Sequence, residues 1–380
     1  MKLAFLLYKY FPYGGMQRDF RRFVEEVLVL GHECRVYYIE WQGEQLADVD
    51  LRRVPVRALS NHTRNERYYH WVQQDLAADR VDAVVGFNKM PGLDIYYAAD
   101  SCYLDKALRE RNWLYRRGSR FRHFAAYEEA VFGASSDTEI LLISQTEQIK
   151  FERLYHTDKS RLHMLPPGVS RDRAVVPDAP RRRQRLRDEL GIDGKDFAML
   201  FVGSGFIKKG LDRAIIALAE LQQERADVVS RLFVVGQDKA QRYKRLARRL
   251  GVADHVVFLG GRDDIPDLLF AADALVHPAL DEAAGIVLLE ALVAGLPVVV
   301  TDICGYATHI AAAAAGVVLS TPFSQEELNK AVSRMLDGYF RGQCRERGLE
   351  YASRVDLYSM HKTGAALIAQ FAGSRLEQSQ

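Results

Sequence analysis

The stretch His277–Asp302, HPALDEAAGIVLLEALVAGLPVVVTD, decides how this chain is read. Its residue types spell a loop, a helix start, an apolar helix, a Gly-Leu-Pro turn and a buried strand. Ala272–His277 before it and Val298–Thr301 within its end are apolar runs of strand length, so the pattern is strand, helix, strand. Glu282 falls in the loop, Gly285 opens the helix, and Glu290 interrupts an otherwise apolar run. A carboxylate in that company is costly to desolvate unless something hydrogen-bonds it. The helix N-terminus beside it presents unpaired N–H groups that suit a phosphate. Taken singly, each glutamate is also explained as a solvated side chain. The glycine and proline punctuation around the pair favours a site: amides for a diphosphate, Glu290 for paired ribose hydroxyls, Glu282 for the hydroxyls of a sugar.

At 380 residues the chain suits two domains of ordinary size. A hydrophobic content of 48% with 27% charged residues fits a globular protein and excludes a disordered one. The net charge is only +2, so an anionic partner must be met by a local patch. Cys34, Cys102, Cys304 and Cys344 are scattered and form no C-x-x-C pair, which argues against a zinc site or disulfide framework and fits a reducing cytoplasm. The apolar run Leu3–Leu7 ends at Tyr8-Lys9-Tyr10 and reads as a first strand, not a signal peptide. Residues 303–325 lack charge but are broken by Gly305, Gly316 and Pro322, so no spanning helix is expected.

In the N-terminal half, strands are expected at Lys2–Leu7, Cys34–Ile39, Ala83–Gly86 and Glu139–Ile143. Helices are expected at Met16–Leu30, about Glu66–Leu76 and about Thr146–Tyr155. The alternation points to a parallel, helix-flanked sheet. Gly14-Gly15 lies at the first strand-to-helix turn, where backbone can approach a ligand or simply turn tightly. Asp19, one turn into the helix, is the nearest carboxylate. Asn88 and Lys89 follow a strand directly and belong to the same ligand edge, where Lys89 suits an acceptor phosphate or plain solvation. Asp100 ends a short segment, Asp94–Ala99.

Between Lys106 and Arg122 seven basic residues (Lys106, Arg109, Arg111, Arg116, Arg117, Arg120, Arg122) face one acid, Glu110, and are interleaved with Trp113, Leu114, Tyr115 and Phe121. Basic side chains mixed with aromatics suit the headgroup zone of an anionic membrane. Nucleic acid would accept the same pattern, but the patch is isolated and no nucleic-acid motif accompanies it. The bland alternative is an exposed helix pair with its aromatics turned inward.

Leu165-Pro166-Pro167-Gly168 punctuates the chain, and the domain boundary is placed there. The basic run Arg181–Arg187 reads as a solvated helix face. A second alternating pattern begins at Phe197–Val202 and continues with strands at Leu232–Gly236 and Val256–Leu259. After its first strand comes GSGFIKKG, Gly203–Gly210. A nucleotide-triphosphate loop would need Lys and Ser/Thr immediately after the second glycine, where Leu211-Asp212 stand. A dinucleotide fingerprint would need glycine at Lys208. What remains is a glycine-rich turn whose two lysines oppose the helix dipole, so something negative is expected opposite them.

Two glutamates separated by seven residues, with Gly285 between and Gly295-Leu296-Pro297 after, resemble the donor-site motif of retaining GT-B glycosyltransferases. YKYFPYGGMQRDF (8–20), VVGFNKMPGLD (84–94), LPPGV (165–169) and GFIKKGLDR (205–213) are similar to the lipopolysaccharide core glucosyltransferase I family. The glutamate pair specifies only the superfamily; the four other segments, in order and at matching separations, are more specific. The resemblance implies an α/β GT-B fold of two facing Rossmann-like domains with parallel sheets. Residues 1–165 would bind the acceptor, with a membrane-contact segment at 103–132; 166–355 would bind the nucleotide sugar; and the final helix, within 356–380, would cross back to the first domain.

The resemblance further implies transfer of glucose from UDP-glucose, with retention, to a heptose of the lipopolysaccharide inner core. It implies no metal or other cofactor, and a cytoplasmic enzyme peripheral to the inner membrane and its anionic lipids. Lys209, with Lys208 and Arg173 helping, would neutralise the donor diphosphate. Ala284, Gly285, Ile286 and Val287 would line the donor, Gly261-Arg262 would lie along the uracil through backbone atoms, and Gly14-Gly15, on a loop facing donor and acceptor, would bind the donor. Glu282, Lys209, Asp19 and Asp100 are the catalytic candidates, and Asn88 and Lys89 the acceptor contacts. Arg109, Arg111, Trp113, Tyr115, Arg116, Arg117, Arg120 and Arg122 would meet lipid. Transfer of another UDP-hexose, galactose or an N-acetylhexosamine, remains an alternative reading, as does a UDP-sugar epimerase of the same architecture. A catalytically silent membrane scaffold is the reading from another class.

Overall fold

Apolar runs too short for helices become the strands of two parallel sheets in the computed structural model, which describes residues 1–12 and 14–378. Tyr13, inside the glycine turn, lies outside the described residues, as do residues 379 and 380. The chain divides into two units, Met1–Pro166 with Ser359–Gln380, and Pro167–Tyr358.

The first unit contains strands β1 (Lys2–Leu6), β2 (Lys9–Tyr10), β3 (Glu33–Tyr38), β4 (Glu40–Trp41), β5 (Val49–Arg53), β6 (Ala83–Gly86), β7 (Ile95–Ala98), β8 (Glu139–Leu142) and β9 (Leu162–Met164). Its helices are α1 (Gly15–Val29), α2 (Asn61–Ala78), α3 (Tyr103–Glu110), α4 (Trp113–Arg117), α5 (Ser119–Phe132), α6 (Gln145–Tyr155) and the C-terminal helix Met360–Gln378. The sheet runs β5-β3-β1-β6-β7-β8-β9, with parallel pairing throughout, and β2 pairs β4 apart from it. Helices cover both faces, so central strands such as β1, β6 and β7 are buried on both sides and read as continuous apolar runs.

Edge strand β5, VDLRR, alternates with charge and gives no such signal. Helix α2 begins five residues before the predicted start, because Ser60 caps it by accepting from the Thr63 amide. The last helix starts at Met360, four residues after the predicted Asp356, and packs on α1. There Gly364 meets the Phe23 ring, which a Cβ would approach to 2.2 Å. Arg375 pairs with Asp94 at 2.6 Å.

The second unit contains α7 (Ala179–Glu189), β10 (Phe197–Val202), α8 (Leu211–Glu224), β11 (Ser230–Val235), α9 (Gln241–Arg249), β12 (Val256–Gly260), α10 (Ile265–Ala271), β13 (Ala274–His277), α11 (Ile286–Val293), β14 (Val298–Thr301), α12 (Ala307–Ala313), β15 (Gly316–Leu319), α13 (Gln325–Arg334) and α14 (Gly338–Arg354). The parallel order is β12-β11-β10-β13-β14-β15. The reading of Arg181–Arg187 as a solvated face needs correction. Arg183 donates to the carbonyls of Phe270, Ala271 and Ala272 at the end of α10 and pairs with Asp273. Arg187 is buried on Asp273 as well, and Arg185 pairs with Asp267. The run clamps α7 onto α10 because helix C-terminal carbonyls attract cations.

Each sheet has one place where consecutive strands leave in opposite directions. In the second unit the chain runs outward from β10 through β11 and β12, then returns to β10's other side as β13. In the first it runs from β1 through β3 to β5 and returns beside β1 as β6. Such switch points open a crevice at the carboxyl ends of the strands, where open α/β sheets bind ligands.

Candidate active site

Two loops meet at the switch point of the second unit: Gly203–Gly210 after β10, and Pro278–Gly285 after β13. Gly210 has φ +72° and packs so closely that a Cβ would stand 2.1 Å from the Pro278 carbonyl oxygen. The Lys208 carbonyl accepts from the amides of Leu280, at 2.6 Å, and Asp281. Backbone therefore locks the loops together, and Lys209 Nζ is brought onto Glu282 Oε2 as a charge-assisted hydrogen bond. Lys208 lies nearer solvent, its Nζ 3.5 Å from Asp281.

Burial works to raise the Glu282 carboxyl, but His277 and Lys209 outweigh it and hold it down at about 2. His277, the last residue of β13, is fully buried, with neither ring nitrogen hydrogen-bonded and Nε2 3.6 Å from Glu282 Oε2. Burial pushes its imidazole below the usual value against the pull of Glu282, so the ring is neutral at neutral pH. In the sequence His277 falls at the end of its strand but carries no role, because periodicity assigns it to the strand and not to the site. Its signal was its position one residue before the loop that carries Glu282.

Gly285 begins α11 in the left-handed region, φ +82°, and no side chain caps the helix. The N-terminal N–H groups near Ala284–Val287 therefore have no side-chain acceptor at the cap, and the Ala284 carbonyl is held by the Tyr306 amide at 2.9 Å. From Val287 to Val293 every residue of α11 is buried, Glu290 included. Glu290 Oε1 lies 3.3 Å from Nε of the buried Arg173, whose Nε and Nη1 have no hydrogen-bond partner in the protein. Arg173, Glu290, the start of α11, Glu282 and Lys209 are thus gathered around one switch point. Arg262 is turned to Asp264 and Glu189. Its guanidinium is therefore occupied within the protein.

In the first unit Gly14 precedes α1 in an extended conformation, and a Cβ there would strike Gln17 and Phe11; Gly15 faces open space. Both oxygens of Asp19 are engaged, Oδ2 by the Tyr97 hydroxyl at 2.8 Å and Oδ1 by His361 Nε2 at 2.9 Å. His361, on the C-terminal helix, gave no signal in the sequence because it lies 342 residues from its partner. Asp100 is exposed after β7. Asn88 Oδ1 accepts from the Tyr8 amide at 2.8 Å and ties the loops after β1 and β6 together.

The expectation that Lys89 meets an acceptor phosphate needs correction. Its ammonium is hydrogen-bonded to the fully buried Glu128 carboxylate at 2.5 Å and to the Ser101 carbonyl at 3.0 Å. Burial would lower its pKa, but Glu128 raises it, and Lys89 serves as an internal counter-ion.

Arg109, Arg111, Arg117, Arg120 and Arg122 are exposed around α3–α5, with Trp113 and Leu114 exposed among them, while Arg116 and Tyr115 are half-buried. Guanidinium groups lie over neighbouring rings, Arg117 on Trp113 at 4.6 Å and Arg111 on Tyr115 at 5.1 Å. Arg109 is tethered to Asp105 at 2.8 Å. Among the described residues no helix is long and apolar enough to cross a membrane, and no three His, Cys, Asp or Glu gather as a metal cluster.

The family model for glycosyl transferases group 1 matches residues 182–353, the part that holds the switch-point loops. The chain is 46% identical over 370 residues to the lipopolysaccharide glucosyltransferase WaaG of Escherichia coli (strain K12), covering 97% of this chain and 98% of that protein. This chain belongs to the WaaG family of group 1 glycosyltransferases. A crystal structure of WaaG, a glycosyltransferase involved in lipopolysaccharide biosynthesis, superposes with a TM-score of 0.91 at 45% identity, over 96% of this chain and 99% of that one. Sucrose-phosphate synthase from Thermosynechococcus elongatus shares the fold alone, with a TM-score of 0.77 at 16% identity and full coverage of both chains. The WaaG-family chain is therefore an α/β protein with the GT-B architecture of two Rossmann-like domains, and a glycosyltransferase.

Proposed function

We propose that this enzyme transfers glucose from UDP-glucose, with retention at the anomeric carbon, onto a heptose of the lipopolysaccharide inner core. The observation that carries the donor half is the switch-point constellation: Lys209 beside Glu282, with the buried Glu290 on the uncapped α11. A diphosphate fits between Lys209 and the α11 amides, where a cation and aligned N–H groups stabilise charge as the glycosidic bond breaks. Glu290 then takes ribose hydroxyls and Glu282 those of the hexose. The name of the relative matched along nearly its whole length supports lipopolysaccharide as the acceptor.

The reaction is written without a metal, because Lys209, Lys208 and the helix amides carry the charge of the leaving diphosphate. No side chain is assigned as a covalent nucleophile; the departing phosphate guides the acceptor hydroxyl to the same face. Asp19 and Asp100 are the first unit's candidates for contact with the reacting sugars. The basic and aromatic surface of α3–α5, with Trp113 and Leu114 exposed, supports residence on the anionic inner membrane from the cytoplasmic side.

A panel of UDP-hexoses incubated with truncated core acceptor, read by mass spectrometry and coupled UDP detection, tests the proposal. Transfer of one hexose from UDP-glucose with stoichiometric UDP is the expected result. Preference for another UDP-hexose would replace the donor, and turnover without net UDP would indicate an epimerase.

A further inference from the structure

The second unit holds a half-open cavity with a volume of about 620 Å³. That size falls within the roughly 300–1,000 Å³ of small-molecule sites. Asp273, immediately before β13, and Pro297, immediately before β14, both line it. The cavity therefore lies at the amino ends of the strands, whereas the switch-point loops leave their carboxyl ends. Its apolar wall includes Val176, Leu269, Phe270 and Leu296.

The rest of the wall is cationic. Arg183, Arg341 and Arg345 line the cavity against a single carboxylate, that of Asp273, which Arg183 and Arg187 already share. Arg341 and Arg345 stand four residues apart on α14, which places them on one helical face. Arg341 Nη1 donates to the Met335 carbonyl and Arg345 Nη1 to the Gly295 carbonyl at 3.1 Å, and neither forms an ion pair among the described residues. Arg345 lies across Gly295, where a Cβ would stand 2.9 Å from its Nη1. Although Arg345 reaches solvent, partial burial and then the Arg183 guanidinium both lower its pKa, and no carboxylate opposes them. An anion between these groups would relieve the repulsion.

Gly342 lies between the two arginines, in the interior of α14, where glycine is the costliest residue after proline. A Cβ there would meet nothing within 4 Å, so close packing does not demand the glycine. What its missing side chain leaves is part of the cavity.

We propose that this cavity is a second ligand site, for a small phosphate monoester whose phosphate is held by Arg341 and Arg345 and whose organic body rests on the apolar wall. A phosphate monoester carries roughly −1.5 to −2 charge at neutral pH, which balances two guanidinium groups that have no carboxylate of their own. Their remaining N–H groups form forks that match phosphate oxygens. A carboxylate would balance only one of them.

Phenyl phosphate serves as the probe, with inorganic phosphate and phenol standing for its two halves, each titrated calorimetrically into the full-length protein. Phenyl phosphate should bind more tightly than either half. Arg341→Gln and Arg345→Gln should each weaken it about tenfold, the scale for one hydrogen bond to a charged group. Gly342→Leu keeps both arginines, gains helix propensity and fills the space, so it should abolish binding while melting no lower than the parent. Lys209→Ala, at the opposite edge of the sheet, should retain the binding of the parent. No uptake by the parent would overturn the site, as would unchanged affinity in the arginine variants or in Gly342→Leu. Loss in Lys209→Ala would overturn it too, by moving the anion to the switch-point loops. Inorganic phosphate binding as tightly as phenyl phosphate would overturn the ligand class, because the apolar wall would then contribute nothing.

Discussion

Lys209 and Glu282 neutralise each other in the free protein, although each is assigned a different part of the donor. A diphosphate must take the lysine away from the carboxylate, leaving Glu282 to hexose hydroxyls and to His277, 3.6 Å distant. Lys209→Ala should lower kcat by about a hundredfold or more, the scale for removing a donor aimed at developing charge, and weaken UDP itself. Glu282→Gln should leave UDP affinity nearly intact and lose the added affinity of UDP-glucose over UDP. Calorimetry with the two ligands separates the effects; equal losses for both would contradict the assignment. The same carboxylate links to acid stability. Its folded value of about 2 lies below the ordinary 4.5, so the ionised form stabilises the fold fully above pH 4.5 and loses that contribution as pH falls toward 2. Glu282→Gln should therefore flatten the fall in stability across that window, measured by urea unfolding at stepped pH.

At the scale of elements, the geometry of the site depends on where two loops let backbone come close. Gly210 starts α8 with φ +72° against the Pro278 carbonyl, and Gly285 starts α11 with φ +82°. Gly210→Ala meets both a disfavoured conformation and a collision with backbone, so it should destabilise by at least about 1–2 kcal/mol and reduce UDP affinity together. Gly285→Ala faces Leu288 and Glu282 side chains at 3.2 and 3.4 Å, which can yield, and its penalty should be the smaller. Melting temperatures of the two variants check the order.

Helices α3–α5 are a second device at this scale: short elements, exposed Trp113 and Leu114, and cations stacked on rings. Trp113→Ser/Leu114→Ser should weaken binding to anionic vesicles at any salt. Replacing Arg116, Arg117, Arg120 and Arg122 with Ser should remove the salt-sensitive part, because exposed charges are screened beyond roughly 8 Å at physiological ionic strength. Vesicle sedimentation at two salt concentrations reads both.

For the whole molecule, two units with separate cores predict two unfolding transitions in calorimetry. All three tryptophans, Trp41, Trp71 and Trp113, lie in the first unit, so intrinsic tryptophan fluorescence reports that unit alone. The residues proposed for the donor, from Arg173 to Glu290, lie in the second. UDP at a hundredfold excess over its Kd stabilises whatever binds it by about 2.7 kcal/mol. It should therefore raise the calorimetric transition that tryptophan fluorescence does not follow. A UDP shift seen only in the fluorescent transition would place the nucleotide in the wrong unit.

The sequence by itself determined the alternation of strands and helices, the break at Pro166-Pro167, and the odd position of Glu290 inside an apolar helix. These are local facts of periodicity and punctuation, written within a dozen residues at a time. It did not reveal β5, whose alternating charges hide an edge strand, nor the role of Arg183 and Arg187, which depends on where α10 ends. Only the tertiary structure decided that Lys209 meets Glu282, 73 residues away, that Lys89 turns inward to Glu128, and that His361 holds Asp19. The reason is physical: partners across a switch point are chosen by which strands lie side by side, and crossover connections of any sequence can bring them there.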